Sequence, residues 1–163
     1  MLDEVTRFFQ RRHFDEQLEA RLLQAEREKR RLAVLLVDAD GLARINERWG
    51  MATGDAIMVG FDRRIIASLS PDDVFAHHDG DRLAIIRWAA SAERASAFAQ
   101  HLASRVSGAP FEIPGGRDAA FLTASVGVAL AEARRQVTLV VFAAEEALRR
   151  AKKLGGNRVC VAD

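Results

Sequence analysis

The chain has 163 residues, 49% of them hydrophobic, enough for one domain with a core of its own. Its 24 Lys and Arg against 23 acids leave a net charge of +1, which gives no electrostatic reason to expect nucleic acid or a membrane surface as partner. One cysteine, Cys160, excludes an internal disulfide and makes a cysteine-based metal site implausible, and no apolar run reaches the roughly 18 residues of a membrane span.

The N-terminus lacks the hydrophobic stretch of a signal peptide, so the expected location is cytoplasmic, and the charged start Met1-Leu2-Asp3-Glu4 suits a domain taken from a longer protein. Residues 3–29 predict a helix with Phe14, Leu18, Leu22 and Ala25 on one face. A single domain over 1–163 is expected, in which segment 1–30 can connect to an upstream domain. Residues 32–37 are continuously apolar, as in a strand buried on both faces, and Asp38-Ala39-Asp40-Gly41 leaves its C-terminal end. Helices are predicted over 42–49, closed by Gly50, and over 54–69, stopped by Pro71.

Two apolar runs, 73–77 and 84–88, flank the polar tip His78-Asp79-Gly80-Asp81-Arg82-Leu83 and predict a β-hairpin. Its adjacent His77 and His78 should face opposite sides of the strand, which argues against a shared metal. A helix over 93–106, a loop at Pro114-Gly115-Gly116, a strand over 121–129, a helix over 137–154 and a strand over 158–161 complete the chain. Gly127 within the 121–129 strand permits a bulge or a close backbone approach. Asp62-Arg63-Arg64 and the other paired arginines, including Arg134-Arg135, read as solvated helix faces. This order predicts an α+β sandwich whose central, mainly antiparallel sheet is flanked by helices.

Three acids converge in that arrangement. Asp38 and Asp40 follow the first strand, Asp81 lies at the hairpin tip, and adjacent central strands would bring these ends together. Two carboxylates and a backbone carbonyl make a hard oxygen site suited to Mg²⁺ and a nucleoside triphosphate. The plainer reading, acids solvated at strand ends or capping a helix, stands beside it. Arg82 next to Asp81 introduces the opposite charge.

The spacing Asp38-x-Asp40-x4-Ile45-Asn46-x3-Gly50-x3-Gly54-Asp55 resembles the first half of the GGDEF domain of diguanylate cyclases, a bacterial signalling family. Asp79-Gly80-Asp81-Arg82-Leu83 stands at its signature hairpin, Ser125-Val126-Gly127-Val128-Ala129 resembles its later strand, and Ala151-Lys152-x2-Gly155-x-Asn157 its terminal helix. Thr6-x4-Arg11-Arg12-x-Phe14 resembles its opening helix, so the likeness spans nearly the whole chain.

The resemblance implies a nucleotidyl cyclase and polymerase-palm fold that joins two GTP into cyclic di-GMP across a dimer. It implies a metal, Mg²⁺ with GTP, held by Asp38, the Ala39 carbonyl and Asp81. Guanine would meet Asn46 and Asp55, and Lys152 would face the phosphates. Against that pattern, the first hairpin Gly is Asp79 and the fourth-position Glu is Arg82. Basic or His positions become Ala43, Met51 and Gly156. In the upstream Arg-x-x-Asp of the product-feedback site, Ser70 replaces the Arg while Asp73 remains. The expected function is therefore a degenerate, catalytically inactive GGDEF domain acting as a regulatory or protein-interaction module, with GTP, Arg82 meeting a phosphate, an upstream domain and a homodimer as candidate partners. The alternatives are a weak cyclase, with Asp81 in its catalytic site, and a structural dimerisation domain with a vestigial pocket.

Overall fold

The computed structural model describes residues 4–116, 118–132 and 135–163, with 4–9 by backbone alone. Asp3 and Arg134 lie outside the described residues, as does the side chain of Thr6. The sheet grows from β1 (Leu32–Asp40), whose apolar run gives both faces something to bury. Ala33, Leu35 and Val37 face one core, shared with Ile45, Ile57, Phe61 and Leu102. Leu32, Val34 and Leu36 face the other, shared with Phe14, Leu18, Val140 and Leu148.

The helices that supply those cores are α1 (Glu4–Glu28), α2 (Leu42–Trp49), α3 (Met51–Ile66), α4 (Ala92–Ser107) and α5 (Val137–Lys153). The remaining strands are β2 (Val74–His77), β3 (Leu83–Trp88), β4 (Phe111–Glu112), β5 (Ala119–Ala120), β6 (Thr123–Ala131) and β7 (Val159–Val161). Five strands form one sheet in the order β2-β3-β1-β6-β7, while β4 and β5 form a separate ribbon. All neighbours in the main sheet are antiparallel except β6 and β7, which α5 joins in parallel. The α+β architecture agrees with the sequence expectation. No described helix is long and apolar enough to cross a membrane.

Several boundaries differ for identifiable reasons. β1 runs on to Asp40 because its ladder with β6 continues through Asp38↔Ser125, Ala39↔Ala124 and Asp40↔Thr123. α3 starts directly after Gly50, whose φ of +91° turns the chain between two abutting helices without a loop. The β4–β5 ribbon, two residues per strand, is too short to show a period in sequence. β6 starts two residues later than expected and leaves Phe121 outside it, 72% exposed.

Arg63 is exposed as expected, but Asp62 and Arg64 on either side of it are not simply solvated. Asp62 Oδ2 lies 2.8 Å from His77 Nε2. Arg64 donates to the carbonyls of Val106, Ala109 and Pro110 and lies 3.6 Å over the Phe111 ring, so it ties α3 to the end of α4. Desolvation by these partners lowers its pKa, with Arg105 repulsion adding to the same direction. His78 points the other way from His77, its fully buried ring meeting Glu145 at 3.1 Å and the edge of Phe14. Strand alternation thus separates the two histidines as expected, and among the described residues no three His, Cys, Asp or Glu side chains gather to hold a metal.

Candidate functional site

The hairpin that joins β2 to β3 closes tightly. Past the last pair, His77↔Leu83, the His78 N–H donates to the Arg82 carbonyl at 2.9 Å and the Arg82 N–H to the Asp79 carbonyl at 3.2 Å. Gly80 takes φ +59° at the first central position, the requirement of a II′ hairpin turn. Asp79 is not among the residues of positive φ, so what it adds is volume and charge, with no backbone strain. Asp79 is exposed, while Asp81 and Arg82 are half-buried. None of the three has an ion-pair partner among the described residues, so Arg82 does not neutralise Asp81 by direct contact.

β1 is the neighbour of β3, and their last paired residues are Val37 and Leu83. Asp38 and Ala39 continue beyond that pair on one strand, Arg82 and Asp81 on the other. The acids of the β1 end and of the hairpin therefore share one edge of the sheet.

A cation already sits among the β1 groups. Lys152 Nζ, carried by the last turn of α5, lies 2.7 Å from Asp40 Oδ1, 2.9 Å from the Ala39 carbonyl and 3.2 Å from Asp38 Oδ2. It does not point out to solvent to await an anion. Asp40 is further held by the hydroxyls of Thr123 (2.8 Å) and Ser125 (2.7 Å) and by the Asn157 N–H (2.8 Å). Partial burial pushes the Asp40 pKa up, but the hydrogen bonds from Lys152, Ser125, Asn157 and Thr123 outweigh it and hold the carboxyl below its usual range. With every oxygen occupied, Asp40 is a structural hub, which the sequence did not separate from its neighbour Asp38.

The α2–α3 junction carries the other pair. Gly54 is buried because Asn46 lies on it: a Cβ there would fall 1.7 Å from Asn46 Oδ1. That oxygen is itself buried and without a hydrogen-bond partner, a state that ordinarily costs about 1–3 kcal/mol unless a ligand completes it. Asp55, the next residue along α3, is half-buried, and its carboxylate has no partner among the described residues.

At the opposite rim Gly156 is buried with φ +71°, and a Cβ would stand 2.9 Å from Asp40 Oδ1. Any side chain at this position would be strained. Asp73 is also committed: its Oδ2 accepts from Arg87 at 2.6 Å and from the Ser70 N–H at 2.7 Å, with the side chain 3% exposed.

The donor set Asp38 carboxylate, Ala39 carbonyl and Asp81 carboxylate fits a hard divalent cation in kind. Two of those three groups are held by the Lys152 ammonium, so a cation placed there would compete with it. Thr123, Ser125 and Asn157, the residues that fix this corner, were not read as functional. Two of them fall inside recognised motifs, but their common target 83 to 117 residues earlier left no local signal.

The family model of the diguanylate cyclase GGDEF domain matches residues 1–158. The chain is 31% identical over 159 residues to the bifunctional diguanylate cyclase/cyclic di-GMP phosphodiesterase MucR of Pseudomonas aeruginosa, covering 97% of this chain and 23% of MucR. It is 29% identical over 158 residues to the diguanylate cyclase DosC of Escherichia coli, covering 97% of this chain and 34% of DosC. The chain thus spans about a quarter to a third of the length of these relatives. The crystal structure of the GGDEF domain of YfiN from Pseudomonas aeruginosa superposes with a TM-score of 0.88 at 28% identity, covering 94% of this chain and 95% of that one.

Proposed function

Since the chain belongs to the GGDEF domain family of diguanylate cyclases, we propose that it is a degenerate member, a GTP-binding regulatory module of cyclic di-GMP signalling that does not turn GTP over. The observation that carries this reading is the Lys152 ammonium bridging Asp38, the Ala39 carbonyl and Asp40. It makes metal and nucleotide binding one event: a triphosphate draws the ammonium outward and releases the two oxygen donors. When bound with GTP at Asp38, Ala39 and Asp81, Mg²⁺ would supply neutralisation of phosphate charge. Asn46 Oδ1, orphaned in the free chain, and the Asp55 carboxylate are two acceptors for the N–H groups on guanine's edge, which adenine lacks.

Turnover needs more cations than remain. Ala43 and Gly156 offer none, and Asp79 brings a negative charge to the hairpin. Arg82 places its positive charge where the family keeps an acid, free to take a phosphate. Beside the metal position that guanidinium repels a divalent cation, where an acid would attract it, by several kcal/mol at about 4 Å and intermediate dielectric. The module then reports GTP to an upstream domain or to a second copy.

Thermal melting tests the coupling. Mg²⁺ alone should leave the melting temperature unchanged, whereas Mg²⁺ with a non-hydrolysable GTP analogue at about 100 times its Kd should raise it by roughly 5 to 10 °C. Lys152→Met should respond to Mg²⁺ alone, and Asp79→Gly with Arg82→Glu should strengthen the joint response. No shift with any combination would leave a vestigial pocket in a dimerisation domain. A wild-type shift with Mg²⁺ alone would mean that Lys152 does not hold the metal out.

Gly54→Ala tests the guanine pair without touching the fold. The three atoms nearest the added Cβ all belong to the rotatable amide of Asn46, and Ala favours the helix by about 1 kcal/mol. The melting temperature should stay within a few degrees while GTP analogue binding weakens about tenfold or more, read by calorimetry.

A further inference from the structure

We propose that the chain carries a second ligand site, a hollow between α2 and the β5–β6 corner, which binds a phosphorylated molecule with a planar ring, a nucleotide, whatever its base. The hollow measures about 610 Å³, within the range of small-molecule sites, and is walled by Arg44, Arg48, Trp49 and Phe121 over an apolar floor of Ile45 and Ala120. None of Asn46, Asp55, Asp81, Arg82 and Lys152 lines it, although it adjoins the site above at Asp40, which Lys152 holds from the other side.

Its charge is unbalanced. Arg44 and Arg48 stand four residues apart on one face of α2, both exposed, with no carboxylate partner for either among the described residues. Two guanidiniums in that spacing repel each other and form a fork for phosphate oxygens. The acid bordering the hollow, Asp40, does not cancel them, because Lys152, Thr123, Ser125 and the Asn157 N–H already saturate it.

The aromatic half is equally unspent. Phe121 is 72% exposed, the most exposed large apolar side chain among the described residues. Trp49 is covered on one face by the Arg48 guanidinium at 4.4 Å, which fixes that arginine over the hollow. A ring laid on Phe121 with its phosphate between Arg44 and Arg48 uses both halves at once. Stacking does not distinguish bases, and the one hydroxyl in the wall, Thr123, is committed to Asp40, so this site reads no base edge.

Fluorescence tests the proposal, because the chain has 2 Trp and no Tyr, and Trp88→Phe leaves Trp49 as reporter. Titration with ADP should give a saturable change in Trp49 emission, with adenosine and inorganic pyrophosphate each at least about tenfold weaker. Arg44→Ala with Arg48→Ala, and separately Phe121→Ser, should each raise the ADP Kd about tenfold or more. Asn46→Ala should leave it unchanged, and in that background GDP should match ADP within about twofold. Absence of a saturable change up to about 5 mM ADP, an unchanged Kd in the double arginine variant, or loss of binding in Asn46→Ala would each overturn it. Pyrophosphate binding as tightly as ADP would also overturn it, since the ring would then contribute nothing.

Discussion

Gly127→Ala is expected to abolish the folded state or lower the melting temperature by at least about 10 °C, a cost of roughly 4 kcal/mol or more for a single methyl group. Gly127 sits in the middle of β6, paired with Leu36 on β1 and Cys160 on β7. A Cβ there would fall 2.3 Å from the Ala144 carbonyl oxygen and 2.4 Å from the Leu148 nitrogen. Both are backbone atoms of α5, so no rotamer change relieves the clash. The whole helix must retreat, opening the core behind Val140 and Leu148 and dragging Lys152 off the β1 end. Gly80→Ala is the contrasting case. Nothing stands within 4 Å of its Cβ, and only the φ of +59° penalises it, by about 1–2 kcal/mol. Circular dichroism melts of both variants separate a packing glycine from a turn glycine; a Gly127→Ala melt within a few degrees of wild type would contradict the close approach.

The second large effect is expected at Asp40. Asp40→Asn keeps the size but removes the charge that Lys152 lies 2.7 Å from, and it turns an amide donor toward either Ser125 and the Lys152 ammonium or Thr123 and the Asn157 N–H. Breaking one partner of so enclosed a pair should cost about 3 kcal/mol, or roughly 6 to 12 °C, at neutral pH. The pH dependence follows from the lowered carboxyl pKa. The unfolded chain, with its Asp near pKa 4, takes up the proton before the folded one does. The stabilisation is thus fully present above about pH 4 and is lost as pH falls through the lower folded value. The gap between wild type and Asp40→Asn should accordingly close in acid. A gap that stayed constant from pH 7 to pH 3 would mean that the charge is not what holds this corner.

How much of this was written in the sequence depends on distance along the chain. α2 was legible to the residue, because Gly50 closes it and the polar exit of the first strand precedes it, and so was the face of α1 that carries Phe14, Leu18 and Leu22. The hairpin was legible from its polar tip and the apolar runs beside it. The end of β1 was not, since Asp38-Ala39-Asp40 looks like a turn until β6 pairs with it. Arg64 looked solvated because its partners are backbone carbonyls 42 to 46 residues away, which leave no charge pattern to read.

The candidate site divides in the same way. The spacing of Asn46, Gly54 and Asp55 marks one pair of groups locally, and the structure explains it by the Asn46 oxygen lying where a Gly54 Cβ would be. Lys152 was read as facing a phosphate, yet its ammonium lies on Asp38, Ala39 and Asp40, more than a hundred residues earlier. Only the assembled sheet puts α5 over the end of β1. Asp79 and Arg82 were visible as departures, but the positive φ belongs to Gly80, so the cost of Asp79 is electrostatic and steric.

The proposed GGDEF module binds GTP without cyclising it. The direct measurement is cyclic di-GMP formed from GTP and Mg²⁺ by the domain fused to a dimerising coiled coil, so that two half-sites are held together. No product above the protein-free control is expected over hours at high protein concentration. Product that accumulates with wild type and disappears in Asp81→Ala would contradict it and make the chain a working, if slow, diguanylate cyclase.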